Sequence, residues 1–153
     1  GERMSSKSAR RRAREFALQG IYQWLISGNS VPQIEDQVHQ AAGFDKADAE
    51  LFTTLLRGTL EAPSALEAEF APFVDRTVAE LSPIERAVLT LATFELKHHI
   101  EVPYKVVINE AIELTKSYGG TDGHRFVNGV LDKVAGQLRS VEVQARKSGH
   151  TGA

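Results

Sequence analysis

Four residues near the N-terminus, Arg10, Arg11, Arg14 and Tyr22, have the types and spacing to grip a polyanion. At about 100° per residue along a helix, Arg11, Arg14, Glu15, Leu18 and Tyr22 share one side, away from Ala13, Phe16, Ala17 and Trp24. Guanidinium groups neutralise phosphates and a tyrosine ring can stack on an unpaired base, so a cationic ridge ending in a ring suits single-stranded nucleic acid. The same spacing also fits a solvated helix start with Tyr22 packed beneath a neighbouring helix. Near the other end, Phe126 sits beside Arg125 and next to the loop from Gly119 to Gly123, at the flank of a buried stripe centred on Val127. It either touches a base or a partner, or packs under the preceding helix.

Catalysis finds no such footing. His39, His98, His99, His124 and His150 contain no pair at the spacing of a helical metal motif, so no metal site is expected. His98 and His99 follow Lys97 at a helix end, where cations are favoured by the helix dipole. The Gly119–Gly123 stretch has no lysine followed by serine or threonine and no preceding strand, so it reads as a loop and not as a nucleotide cradle. No serine nucleophile or acid–base pair stands out, and no enzyme or cofactor is expected.

Charge gives the ridge a direction. The net charge is −2, but residues 1–14 hold six basic and one acidic residue, whereas residues 35–85 hold eleven acidic and three basic ones. Residues 86–153 return to a small positive excess, nine basic against seven acidic. A polyanion should therefore meet the basic N-terminal arm and part of the C-terminal half, with the acidic middle turned away. The chain has no cysteine, which excludes disulfides and thiol chemistry and suits a reducing compartment. No apolar run approaches the roughly 18 residues of a membrane span, and the start lacks the apolar core of a secretion signal, so the expected location is cytoplasmic, away from membranes. Gly1, Glu2 and Arg3 precede Met4, and no inference rests on them.

The elements that must position these residues read as helices throughout. Apolar residues recur at steps of three and four, with no sustained alternation. A first helix is predicted from about Ser8 to Ile26, a short one around Ile34 to Ala41, and a third from an N-cap at Asp45. Pro63 and Pro72 bound a shorter helix. Ser82, Pro83 and Glu85 form the clearest start signal, a cap, a first-turn proline and a capping-box partner, ahead of a helix apolar almost all round. Pro103 opens a helix through Ser117, and a last one runs from about His124 to Leu138, with Asp122 most simply its N-cap. The expected division is a flexible basic arm over 1–8, one helical domain over 9–140, and a disordered tail over 141–153 without apolar period.

Several stretches together resemble the NusB family of bacterial transcription antitermination factors. They are Ala9–Glu15 (ARRRARE), Tyr22 with Trp24, Ile84–Ala87 (IERA), Phe94–Leu96 (FEL), Val102–Leu114 (VPYKVVINEAIEL) and Phe126–Lys133 (FVNGVLDK), in order across about residues 9–135. The resemblance implies an all-α, compact seven-helix fold of two sub-bundles in a single domain, without catalytic activity. It implies pairing with NusE, a ribosomal small-subunit protein, to hold the single-stranded boxA element of nascent ribosomal RNA within an antitermination complex of RNA polymerase. By matching positions, Arg10, Arg11, Arg14, Tyr22, Lys105, Arg125 and Phe126 would contact RNA, and Glu85 and Asp122 would belong to or border the NusE-facing region. Where the family often has a basic residue, this sequence has Thr90. A homodimer hiding the RNA surface and a monomer are both open. Two other roles remain: a module of an RNA cytosine methyltransferase, for whose glycine-rich cofactor fold this chain has no room, and a purely protein-binding helical scaffold.

Overall fold

Serine, aspartate and glycine set several of the helix ends. In the computed structural model, which describes residues 6–119 and 122–152 and side chains to 148, every regular element among the described residues is helical. The chain divides into two compact units, one ending at Pro63 and the other starting at Ser64.

In the first unit, α1 (Lys7–Ser27) starts where Ser6 accepts the Ala9 N–H at 3.0 Å. It stops at Gly28, whose φ of 70° is costly for any residue with a Cβ and whose N–H donates to the Trp24 carbonyl. Ser30 and Gln33 form a reciprocal capping box at the head of α2 (Val31–His39). The third helix begins later than the sequence suggested. Asp45 falls in a 3-10 turn over Phe44–Lys46, and Asp48 caps α3 (Ala49–Glu61) by accepting the Leu51 N–H at 2.9 Å. The intervening Gly43, at φ 90°, turns the chain first.

α1 packs chiefly on α3. Their approach is close because Gly20 faces Ile34 and Leu56: a Cβ there would lie 2.8 Å from a side-chain carbon of each. Ala13, Ala17 and Ile21 are buried with Ile34, Phe52, Leu55 and Leu56. Phe44 stands edge-on to both Phe16 and Phe52, at 5.4 and 5.3 Å.

From the second residue of α4 (Pro63–Phe70) onward, the second unit carries 3-10 turns over Ala71–Phe73 and Val78–Glu80, α5 (Pro83–His98), α6 (Tyr104–Tyr118), α7 (Gly123–Leu138) and α8 (Ser140–Gly152). α5, α6 and α7 pack on one another, and α8 on α7. Every residue of α5 from Ala87 to Leu96 is buried, as its all-round apolar sequence requires. The α5 capping box is half made. Ser82 accepts the Glu85 N–H at 3.1 Å, while the Glu85 carboxylate lies against Gly123. On α6, Tyr104, Ile108 and Ala111 are buried, and Tyr118 is 40% exposed.

One expectation is corrected. Residues 140–152 form a helix in place of the expected disordered tail, so the described residues hold eight α-helices and not seven. Apolar period gave no hint of it because the head of α8 is held by polar bonds: Glu142 accepts the Tyr104 N–H, and Arg139 donates to Glu142. The two compact units match the two sub-bundles that the resemblance implies. The flexible-arm expectation for residues 1–8 lies mostly outside the described residues, and α1 already begins at Lys7.

Candidate nucleic-acid interface

Steps of four along α1 place Lys7 over Arg11 and Ser8 over Arg12, so one flank of its first two turns is basic. With Glu15 these residues line a groove of about 510 Å³. Lys7 and Arg12 are exposed, and Arg10, Arg11 and Glu15 are half-buried. The Arg12 guanidinium lies close to the Gly43 turn, where a Cβ would come within 3.4 Å of it.

The predicted ridge is corrected in one respect. Arg14 is only 5% exposed and Leu18 only 1%, so the Arg14–Leu18 side of α1 faces inward. Phe16 and Trp24, on the side away from the ridge, are only half-buried, as is Tyr22. The buried arc is thus rotated from Phe16 towards Arg14. Periodicity shows that a stripe exists, but Ala13 and Ala17 are too small to fix which of their flanks is covered. The exposed cations of this helix are Lys7 and Arg12, which the sequence reading missed, although the helical angles set Arg12 opposite the buried Ile21.

In the second unit, Lys105 is exposed on the first turn of α6, with Nζ 5.6 Å above the ring of Tyr104. Arg125 is exposed and Phe126 half-buried on the first turn of α7. The Phe126 ring carries the Arg76 guanidinium on its face, Cζ 5.0 Å from the centroid, and Arg76 Nε donates to Asp75 at 2.9 Å. That bond and the adjacent positive charge hold the Asp75 carboxyl below its usual range. The Thr77 hydroxyl and amide do the same for Glu80. Arg76 was not singled out from sequence, and no local pattern pairs residues 50 apart.

Asp122 stands at the N-cap position of α7 and is exposed, but its side chain makes no capping bond. Beside it, Glu85 is half-buried, and its Oε2 would be 2.8 Å from a Cβ on Gly123, so the carboxylate closes over a glycine that leaves it room. Thr90, 3% exposed, donates its hydroxyl to the Arg86 carbonyl at 2.7 Å and belongs to the interior. Among the described residues no group of histidine and carboxylate side chains is placed to hold a metal ion. His98 and His99 flank the Phe94 ring at 5.0 and 5.2 Å. Arg10, Arg11, Arg14 and Tyr22 thus share α1, Arg125 and Phe126 share the head of α7 with Asp122, and Lys105 stands on α6.

A family model described as the NusB family matches residues 11–136. The transcription antitermination protein NusB of Aromatoleum aromaticum is 71% identical over 145 residues, which is 95% of this chain and 100% of that protein. That of an Azoarcus species is 67% identical over 146 residues, 95% of this chain and 94% of its own. Among solved structures, T. maritima NusB superposes with a TM-score of 0.76 at 29% identity, covering 88% of this chain and 94% of that one. A chain from a complex of the antitermination factors NusB and NusE with dsRNA shares the fold, with a TM-score of 0.72 at 21% identity over 84% of this chain and 97% of its own. With helices alone, a basic first helix and these relatives, the chain belongs to the NusB family.

Proposed function

We propose that this protein is a transcription antitermination factor that binds the single-stranded boxA element of nascent ribosomal RNA together with NusE, supporting processive transcription. The observation that carries the reading is the 71% identity with an antitermination protein matched along its entire length. The groove lined by Lys7, Arg11 and Arg12 supplies the chemistry, a concentration of cations along which a phosphate chain can run. Arg10 adds charge on the same helix, while Tyr22, Lys105, Arg125 and Phe126 offer rings and cations to unpaired bases and neighbouring phosphates. The buried Arg14 supports α1 from within. Glu85 and Asp122 border the region facing NusE. The role is binding in the cytoplasm, within the transcription complex, and no helix among the described residues is long and apolar enough to cross a membrane.

The test is a titration of labelled boxA RNA, scrambled RNA and a boxA duplex, each with and without NusE. A structural neighbour was solved with dsRNA, so the duplex arm is needed. Preference for single-stranded boxA, increased by NusE, supports the proposal. Equal binding of all three RNAs, or no gain with NusE, would overturn it.

A further inference from the structure

The segment between the two 3-10 turns of the second unit brings a cation to an unexpected place. Residues 35–85 contain eleven carboxylates and only three basic residues, Lys46, Arg57 and Arg76. Arg57 is held by both oxygens of Glu35, at 2.8 and 3.1 Å. Arg76 donates from Nε to Asp75 and lays its guanidinium over the face of Phe126. Its side chain keeps 43% of its accessible surface and that of Asp75 keeps 79%, so the pair lies at the surface and not in the core.

A bare phenyl face carries the negative side of its quadrupole. Around the head of α7, which carries Phe126, stand Asp75, bonded to Arg76, Asp122 at the N-cap position, and the carboxylate of Glu85 from α5, which lies against Gly123. Without Arg76 only Arg125 would offset the three carboxylates of this corner. With it, the ring is covered by a planar cation whose terminal nitrogens are not engaged by Asp75. Arginine planes and aromatic rings are both stacking surfaces for unpaired bases.

We propose that Arg76 is an RNA-contacting residue: stacked on Phe126, it forms a two-layer platform on which an unpaired base lies, while its terminal nitrogens donate to the adjoining phosphate. This rests on the reading of the chain as a single-stranded RNA-binding factor. It assigns part of the RNA surface to the acidic segment, which by its net charge should turn away from RNA.

The experiment is a titration of fluorescein-labelled boxA RNA with the full chain and NusE at several salt concentrations, using wild type, R76Q, R76K, F126L and the double variant R76Q/F126L. R76Q should weaken binding about three- to tenfold and reduce the steepness of the salt dependence by about 0.7, the share of one phosphate contact on a single strand. R76K should keep the wild-type salt slope and still lose about threefold, because an ammonium does not replace a stacked plane. F126L should cost much less in the R76Q background than in wild type, a coupling that a merely structural role would not produce. The platform is overturned if wild type binds boxA while R76Q and R76K match it in affinity and slope. It is overturned equally if R76Q binds more tightly, which would make Arg76 a plug over the ring, or if R76Q weakens only the capture of NusE in the absence of RNA. Failure of wild type itself to prefer boxA over scrambled RNA removes the RNA reading and the platform with it.

Discussion

Arg139 and Glu142, three residues apart across the junction of α7 and α8, cap two other helices from opposite ends. The Arg139 guanidinium donates to the carbonyls of Leu96 at 2.7 Å and His99 at 3.0 Å, at the C-terminus of α5. The Glu142 carboxylate accepts the Tyr104 N–H at 2.8 Å, at the N-terminus of α6. A cation thus meets the negative end of one helix dipole and an anion the positive end of the next, and the two charges bond to each other.

Replacing Arg139 by methionine strands buried carbonyls and leaves Glu142 without its partner. The side chain of Arg139 is only 4% exposed but that of Glu142 is 37% exposed, so the loss is chiefly that of charged hydrogen bonds to buried carbonyls, about 1.5–3 kcal/mol. Urea unfolding followed by circular dichroism measures it. A loss below about 1 kcal/mol would show that the clamp is incidental.

Acid should loosen the same junction. Burial pushes the Glu142 carboxyl up, but the Tyr104 amide, the Arg139 hydrogen bond and the Arg139 charge together outweigh it, leaving the group below the usual glutamate range. A carboxyl depressed in the folded state contributes stability that is full above its unfolded pKa and is lost as pH falls through the folded value. The thermal midpoint should therefore fall as pH drops below about 4.5, and the E142Q variant should fall less steeply. Parallel curves for the two proteins would contradict this.

In the first unit, Gly20→Val should be severely destabilising. Even the first carbon of a side chain would lie 2.8 Å from Ile34 and Leu56, both fully buried. Overpacking of this kind costs about 1–3 kcal/mol or more. The readout is the thermal midpoint. An unchanged value would mean that α1 can move away from α2 and α3 freely.

Arg12 and Arg14, two residues apart, should behave oppositely. Arg12→Gln removes an exposed groove cation and should weaken RNA binding with little change in stability. Arg14→Gln alters a side chain 5% exposed and should lower stability, by about 1–3 kcal/mol, before any direct effect on RNA. Paired titrations and melts separate the two. Equal melting temperatures for both variants would refute the inward placement of Arg14.

What could be read from the sequence was what depends on neighbours a few residues away. Ser82 with Pro83, and Pro63 at the start of α4, announce helix starts because capping is local. Which side of α1 is covered depends on α2 and α3, so Arg14 was misplaced although the helix itself was found. α8 was missed because its head is fixed by Arg139 and Glu142 acting on residues about 40 positions away, not by an apolar stripe. The Arg76–Phe126 stack escaped for the same reason. The basic character of the first helix needed only the composition of residues 7–14, whereas the identity of its exposed cations needed the packed structure.

In the proposed function the groove at the head of α1 holds RNA phosphates. The direct measurement is the salt dependence of boxA affinity, in the presence of NusE, for wild type and for the triple variant K7Q/R11Q/R12Q. Loss of three phosphate contacts should flatten the slope of log affinity against log salt by about 2, with boxA still preferred over scrambled RNA in wild type. An identical slope in the triple variant would contradict the account.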